Sequence, residues 1–207
     1  MTRYRKSNKV IKYKKSGLIL CEGQTEENYF KGLVTSDENK RRLGSVNVDI
    51  YKPKDHSPKG LINEAKSRIR EAHRLKIPLD FVWLVFDRDG HQNIPNVFEE
   101  ARSSKTKIDI AFTVVCFEYF VLLHFKKTTK AFRNCDELIK DVKLEFAIYE
   151  KASNLYEELR PNFSVGIENS KWSLMQCKSD LESGKHPYEL SYYSNVHELI
   201  EYLQNLK

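Results

Sequence analysis

The sequence predicts an α/β fold, a parallel Rossmann-like sheet with helices on both faces and a mainly helical C-terminal elaboration. Three observations carry that expectation. Residues 81–86 are six consecutive apolar side chains, the mark of a strand covered on both faces. Shorter apolar or alternating runs at 17–21, 46–50 and 108–114 are separated by helical patterns, which implies right-handed crossovers between parallel strands. Beyond Lys126 the periodicity becomes helical.

The elements follow in chain order. Residues 17–21 read as a buried strand and 22–25 as a polar turn, with Thr25 as N-cap of the next helix. Glu26 and Glu27 fall in its first turn, where the helix dipole favours acids, and Tyr29, Phe30 and Leu33 give its apolar face. Val46, Val48 and Ile50 alternate with polar residues as in a half-exposed strand. Leu61, Ile62, Ala65, Ile69 and Ala72 share one face of a long helix between Pro58 and Pro78. The buried strand at 81–86 ends abruptly in Asp87, Arg88, Asp89, Gly90 and His91. A helix near 96–102, a strand near 108–114 and an apolar helix near 117–125 continue the alternation. Helical segments follow near 136–159, 171–183 and 196–206, the last capped by Ser194 or Asn195.

With 40% hydrophobic and 31% charged residues in 207, the chain is globular and long enough for one domain with an elaboration. The expected organisation is a basic arm (1–15), an α/β core (16–126) and a helical region packed on it (127–207). The formal charge of +6 is local: Arg3, Arg5, Lys6, Lys9, Lys12, Lys14 and Lys15 stand in the arm without an acid, leaving the rest close to neutral. Such an arm binds a phosphate backbone by releasing counterions, or is simply a solvated terminus. Cys21, Cys116, Cys135 and Cys177 are far apart, with no C-x-x-C pair and no histidine at zinc-ligand spacing. That argues against structural zinc and for free thiols in a reducing cytoplasm. No signal-peptide core and no apolar run of roughly 20 residues is present, so no membrane association is expected. No Walker A pattern occurs, so any ATP hydrolysis belongs to a partner.

Glu22 directly follows the first strand and Asp87 the long buried one. In a parallel sheet both emerge at the carboxyl edge, where α/β folds bind ligands. Asp87 and Asp89 flank a single residue, and Gly90 permits a tight bend, so both aspartates can face one hard cation. Three carboxylates converging without a cation would raise one another's pKa values, a conflict that Mg2+ or Mn2+ resolves. His91, beside this turn, is a candidate to contact a phosphate or protonate a leaving oxygen, with a surface-loop role as the alternative. Glu118 is either a site carboxylate or an acid favoured at a helix start. His124 and Tyr29 read as core residues.

Residues 19–29, I-L-C-E-G-Q-T-E-E-N-Y, and 84–91, L-V-F-D-R-D-G-H, resemble the Glu and D-x-D motifs of a TOPRIM domain. Residues 116–125, C-F-E-Y-F-V-L-L-H-F, and 194–199, S-N-V-H-E-L, resemble the RloB-like proteins. The similarity runs from Gly17 to Leu203, with Val114 and Val115 standing where that family usually has Asn-Pro. It implies a TOPRIM fold for the core, a phosphodiester substrate and a role in bacterial defence against phage, often as abortive infection, beside an ABC-type or AAA-type ATPase. Carried onto this chain, Glu22 is the general acid or base, and Asp87 and Asp89 are ligands of Mg2+ or Mn2+. Glu26 is a candidate ligand for a second ion, Glu118 a further candidate carboxylate, and Arg88 joins the arm as a candidate nucleic-acid contact.

The leading expectation is therefore a metal-dependent nuclease acting on DNA or RNA, tRNA included. A D-x-D phosphatase ranks lower, because there the motif follows the first strand and Glu22 would have no role. A non-catalytic module, its ion serving stability and its arm binding nucleic acid or a partner, is the reading from a different class. Apolar positions in the helical tail point to a docking surface and leave homo-oligomerisation open.

Overall fold

The computed structural model describes residues 15–206. Four parallel strands, Lys15–Cys21 (β1), Val46–Tyr51 (β2), Phe81–Asp87 (β3) and Asp109–Val114 (β4), and one short antiparallel strand, Tyr193–Ser194 (β5), form a single sheet. Its order is β2-β1-β3-β4-β5. The chain leaves β1 toward β2, then crosses back to lay β3 on the opposite side of β1. The crevice at the carboxyl ends of β1 and β3 is thus a topological switch point, where successive connections leave in opposite directions.

β3 is central, and all six of its apolar side chains are buried, which is why its sequence shows no alternation. β2 forms an edge and does alternate. Gln24–Thr35 (α1) and Asp37–Arg42 (α2) connect β1 to β2, and Pro58–Arg74 (α3) connects β2 to β3. α3 begins sharply because Ser57 Oγ accepts from the Gly60 N–H (3.1 Å) and Pro58 needs no hydrogen-bond partner there. Ile94–Arg102 (α4) leads to β4, and Glu118–Leu123 (α5), buried at every position, follows it.

The remaining helices are Cys135–Glu145 (α6), Leu155–Leu159 (α7), Phe163–Gln176 (α8), Lys178–Glu182 (α9) and Val196–Asn205 (α10). α6 is capped by Asn134, whose Oδ1 accepts from the Glu137 N–H (2.9 Å). The C-terminal region also enters the sheet through β5, which the sequence patterning did not reveal because two residues carry no period. Among the described residues no helix is long and apolar enough to cross a membrane.

Several local expectations are corrected. The N-cap of α1 is Gly23, not Thr25; Thr25 lies within the first turn and its Oγ1 accepts from the Ala152 N–H (3.2 Å). The helix expected over 136–159 is broken between α6 and α7. Phe146 turns inward to stack on Phe125 and Tyr149 is buried, so side-chain burial overrides local helix preference. The segment expected at 171–183 is two helices, the first of which starts eight residues earlier, at Phe163. Asn195 is the N-cap residue of α10, as expected, but makes no side-chain cap hydrogen bond to it; Ser194 Oγ accepts instead from the Val196 N–H (3.5 Å). The expectation of free thiols throughout also fails: Cys116 and Cys135 form a disulfide, their Cα atoms 5.8 Å apart, whereas Cys21 and Cys177 are free and buried. Packing of α5 against α6 brings these two cysteines together from 19 residues apart.

Candidate functional site

The site is assembled where β1 and β3 end. The Glu22 N–H donates to the Val85 carbonyl of β3 (2.9 Å), so Glu22 leaves the sheet already aligned with the end of its neighbour. The Asp87 N–H in turn donates to Glu22 Oε2 (3.1 Å), while Glu22 Oε1 contacts His91 Nε2. His91 is brought there by a turn in which its N–H bonds the Arg88 carbonyl (2.9 Å) and Gly90 takes a φ of +76°. The same turn is fastened to the end of β4 and the residue after it, through Arg88 N–H to Thr113 O (3.0 Å) and Asp89 N–H to Val115 O (3.2 Å). The Val114–Val115 peptide is cis.

Glu22, Glu26, Asp87, Asp89 and Glu118 line one cavity of about 340 Å³ at this edge. Glu26 is brought in from the first turn of α1 and lies across Gly23, where a Cβ would fall 2.2 Å from its Oε2. Crowding sets the electrostatics. Burial, and then the charges of Glu22, Glu26, Asp89 and Glu118, push the Asp87 carboxyl well above the usual carboxylate range. Burial also lifts Glu26 to about 7, reinforced by Glu118 and Glu22 and opposed by its own N–H and by Lys151. Glu22 is raised by burial against the hydrogen bond from Asp87 and the proximity of His91. Asp87 Oδ1 is buried without a hydrogen-bond partner.

Tightest convergence lies on one wall of this cavity. Among the described residues, the group of three whose metal-ligating atoms all fall within 4.8 Å of one another is Cys116, Glu118 and Cys135. Glu22, Asp87 and Asp89 share the cavity without forming such a group, Glu22 being held by His91 and the Asp87 N–H.

A family model described as RloB-like protein matches residues 17–203. The chain belongs to the RloB-like family. No curated protein and no solved structure matches it. The match spans every residue that lines the RloB-like site, from Glu22 to Ala152.

Other expected site residues lie elsewhere in this RloB-like chain. The Arg88 guanidinium donates to the Leu190 carbonyl (2.8 Å) and so ties the D-x-D turn to the segment before β5. Arg3, Arg5, Lys6, Lys9, Lys12 and Lys14 lie outside the described residues, and Lys15 is the exposed first residue of β1. His124 and Tyr29, read from the sequence as core residues, are in the core: His124 Nδ1 lies on the Phe120 carbonyl (3.0 Å), and Tyr29 is packed among Phe30, Phe117, Phe120 and Tyr156.

Four residues at the site were not foreseen. Lys52 and His56 line the cavity from the loop after β2, which the carboxyl-edge argument could have found, since β2 is parallel to β1. Lys151 and Tyr149 come from the break between α6 and α7, and a continuous helical reading of 136–159 conceals them. Tyr149 donates its hydroxyl to Glu118 Oε1, and Lys151 Nζ is 3.9 Å from the same oxygen.

Proposed function

We propose that this RloB-like chain is a TOPRIM-type nuclease that cleaves phosphodiester bonds of DNA or RNA with Mg2+ or Mn2+, in anti-phage defence and under the control of an ATPase partner. The observation that supports it is the half-buried Asp87, whose Oδ1 is buried and unpartnered, among acids at the β1/β3 switch point. An all-oxygen donor set in which burial and neighbouring acids hold the carboxyls of Asp87 and Glu26 above their ordinary range fits a hard divalent cation. Asp87 and Asp89 would hold it, with Glu26 as the further ligand. An ion held by these residues would offset the charge of the carboxylates and supply stabilisation for charge on phosphoryl oxygens.

The chain's own groups supply the proton handling. Glu22 is fixed through both oxygens, Oε2 by the Asp87 N–H and Oε1 by His91, so it is oriented as a general base that takes a proton from the attacking water. His91 is the partner that returns a proton to the leaving oxygen. Lys52 and His56, which also line the cavity, add donors for a phosphate. The basic arm would follow the nucleic-acid backbone.

The deciding experiment incubates the full chain, alone and with any ABC-type or AAA-type ATPase found encoded beside it, with plasmid, single-stranded DNA and total tRNA in magnesium, manganese or chelator. Cleavage that needs the ion and disappears in Asp87→Ala and Glu22→Ala, with the fold retained, is the expected result. Variants that cut like the parent would overturn the site assignment. Ion binding without cleavage of any substrate would favour the non-catalytic module.

A further inference from the structure

We infer that Cys116, Cys135 and Glu118 form a thiol-based site for a thiophilic divalent ion of the zinc class, which disulfide formation closes. This site is chemically distinct from the all-oxygen set around Asp87, and it does not depend on the nuclease reading.

Cys116 and Cys135 are too far apart in sequence for a zinc-ligand motif, but the fold brings them together. Cys116 stands two residues before Glu118 at the start of α5, and Cys135 is the first residue of α6 packed beside it. One ligand atom from each of the three lies within 4.8 Å of the other two. Two sulfurs on one tetrahedral zinc stand roughly 3.8 Å apart, as Zn–S bonds of about 2.3 Å require, so opening the disulfide needs side-chain rotation only. Three protein ligands facing a cavity leave the fourth position to solvent, the pattern of an open rather than a purely structural site.

The surroundings suit that role. Tyr149 occupies Glu118 Oε1, leaving Oε2, which is 3.4 Å from Cys135 Sγ, to face the ion. Such an outer hydrogen bond fixes the orientation of a ligating carboxylate. Lys151 Nζ, 3.8 Å from Cys135 Sγ, offsets part of the negative charge that two thiolates and a carboxylate carry. Loading the dithiol form releases the two thiol protons. Oxidation by a low-molecular-weight disulfide joins the two Sγ atoms, and the small disulfide leaves as two thiols carrying those protons, so no thiolate remains for an ion.

Cobalt(II) is the probe, because a thiolate ligand gives it a near-ultraviolet charge-transfer band and an oxygen ligand does not. The full chain, reduced with a phosphine, is expected to develop this band to one equivalent of cobalt and to lose it on adding one equivalent of zinc. Prior oxidation with glutathione disulfide abolishes the band, as do Cys116→Ser and Cys135→Ser, whereas the double variant Cys21→Ser and Cys177→Ser keeps it. Glu118→Gln weakens cobalt binding at least tenfold. Reduced protein without the band, or a band that survives in Cys135→Ser or in the oxidised chain, overturns the inference. The oxidised wild-type chain serves the same purpose if a serine variant fails to fold.

Discussion

The main-chain N–H of Asp87 donates to Glu22 Oε2 at 3.1 Å, so the acid after β1 and the acid after β3 are joined before any ligand arrives. Asp87 is the more crowded member, with one buried oxygen unpartnered and four acids raising its pKa alongside burial. Asp87→Asn keeps the shape and removes the charge. In chelator at pH 8 this variant is expected to be more stable than the parent by about 1–3 kcal/mol, since it relieves an uncompensated buried carboxylate. It should also lose the upward shift in melting temperature that saturating magnesium gives the parent. Denaturant and thermal melts with and without magnesium check both parts, and an Asn variant less stable than the parent in chelator contradicts the account.

Glu26 sets a pH dependence of definite sign. Its carboxyl titrates near 4.5 in the unfolded chain and about 7 in the folded one, so the folded state binds the extra proton between those values. Stability contributed by this group therefore falls as pH rises from about 4.5 through about 7, by up to about 3 kcal/mol. His124 and His197, both lowered by burial to about 4, act oppositely, losing stability as pH falls from about 6.5. The difference between the parent and Glu26→Gln isolates the acid. In chelator, the variant should gain on the parent between pH 5 and pH 7 and level off above that, and magnesium should shrink the gain. A difference independent of pH would show that Glu26 is not held neutral.

What was legible in the sequence follows from which signals are local. β3 and its D-x-D ending are one continuous stretch, so both the strand and the position of Asp87 at its edge could be read directly. Glu22 required only the rule that parallel strands end on one side. Tyr149 and Lys151 were hidden because the break between α6 and α7 exists for distant partners: Phe125 for Phe146, Glu118 for Tyr149. The Cys116–Cys135 pairing was hidden for the same reason, being a product of α5 packing on α6.

Asn195 shows how a local reading can find the right residue and the wrong role. As a helix cap it would serve α10, but its Oδ1 accepts from the Phe112 N–H (2.7 Å) and its Nδ2 donates to the Ile110 carbonyl (2.9 Å). It thereby satisfies the edge of β4 just beyond the end of β5. Asn195→Ala leaves a buried N–H and a carbonyl unpaired and is expected to cost about 1–3 kcal/mol in chemical denaturation. Amide exchange at Phe112 should speed up correspondingly. A cost near zero would mean that water replaces the side chain.

Gly166 on α8 faces the His124 ring so closely that a Cβ would lie 2.6 Å from its Cδ2. That ring is fully buried and held by the Phe120 carbonyl, with Phe120 and Tyr29 packed against it, so it has little room to retreat. Alanine is the better helix former at an ordinary mid-helix position, by about 1 kcal/mol. Here overpacking outweighs that preference, and Gly166→Ala is expected to destabilise by about 1–3 kcal/mol. Pairing it with a smaller residue at 124, as in His124→Ala, should recover part of the loss, a non-additivity readable in a double-mutant cycle. Additive effects would place the clash elsewhere and leave the contact between α5 and α8 without the role of fixing the apolar helix behind Glu118.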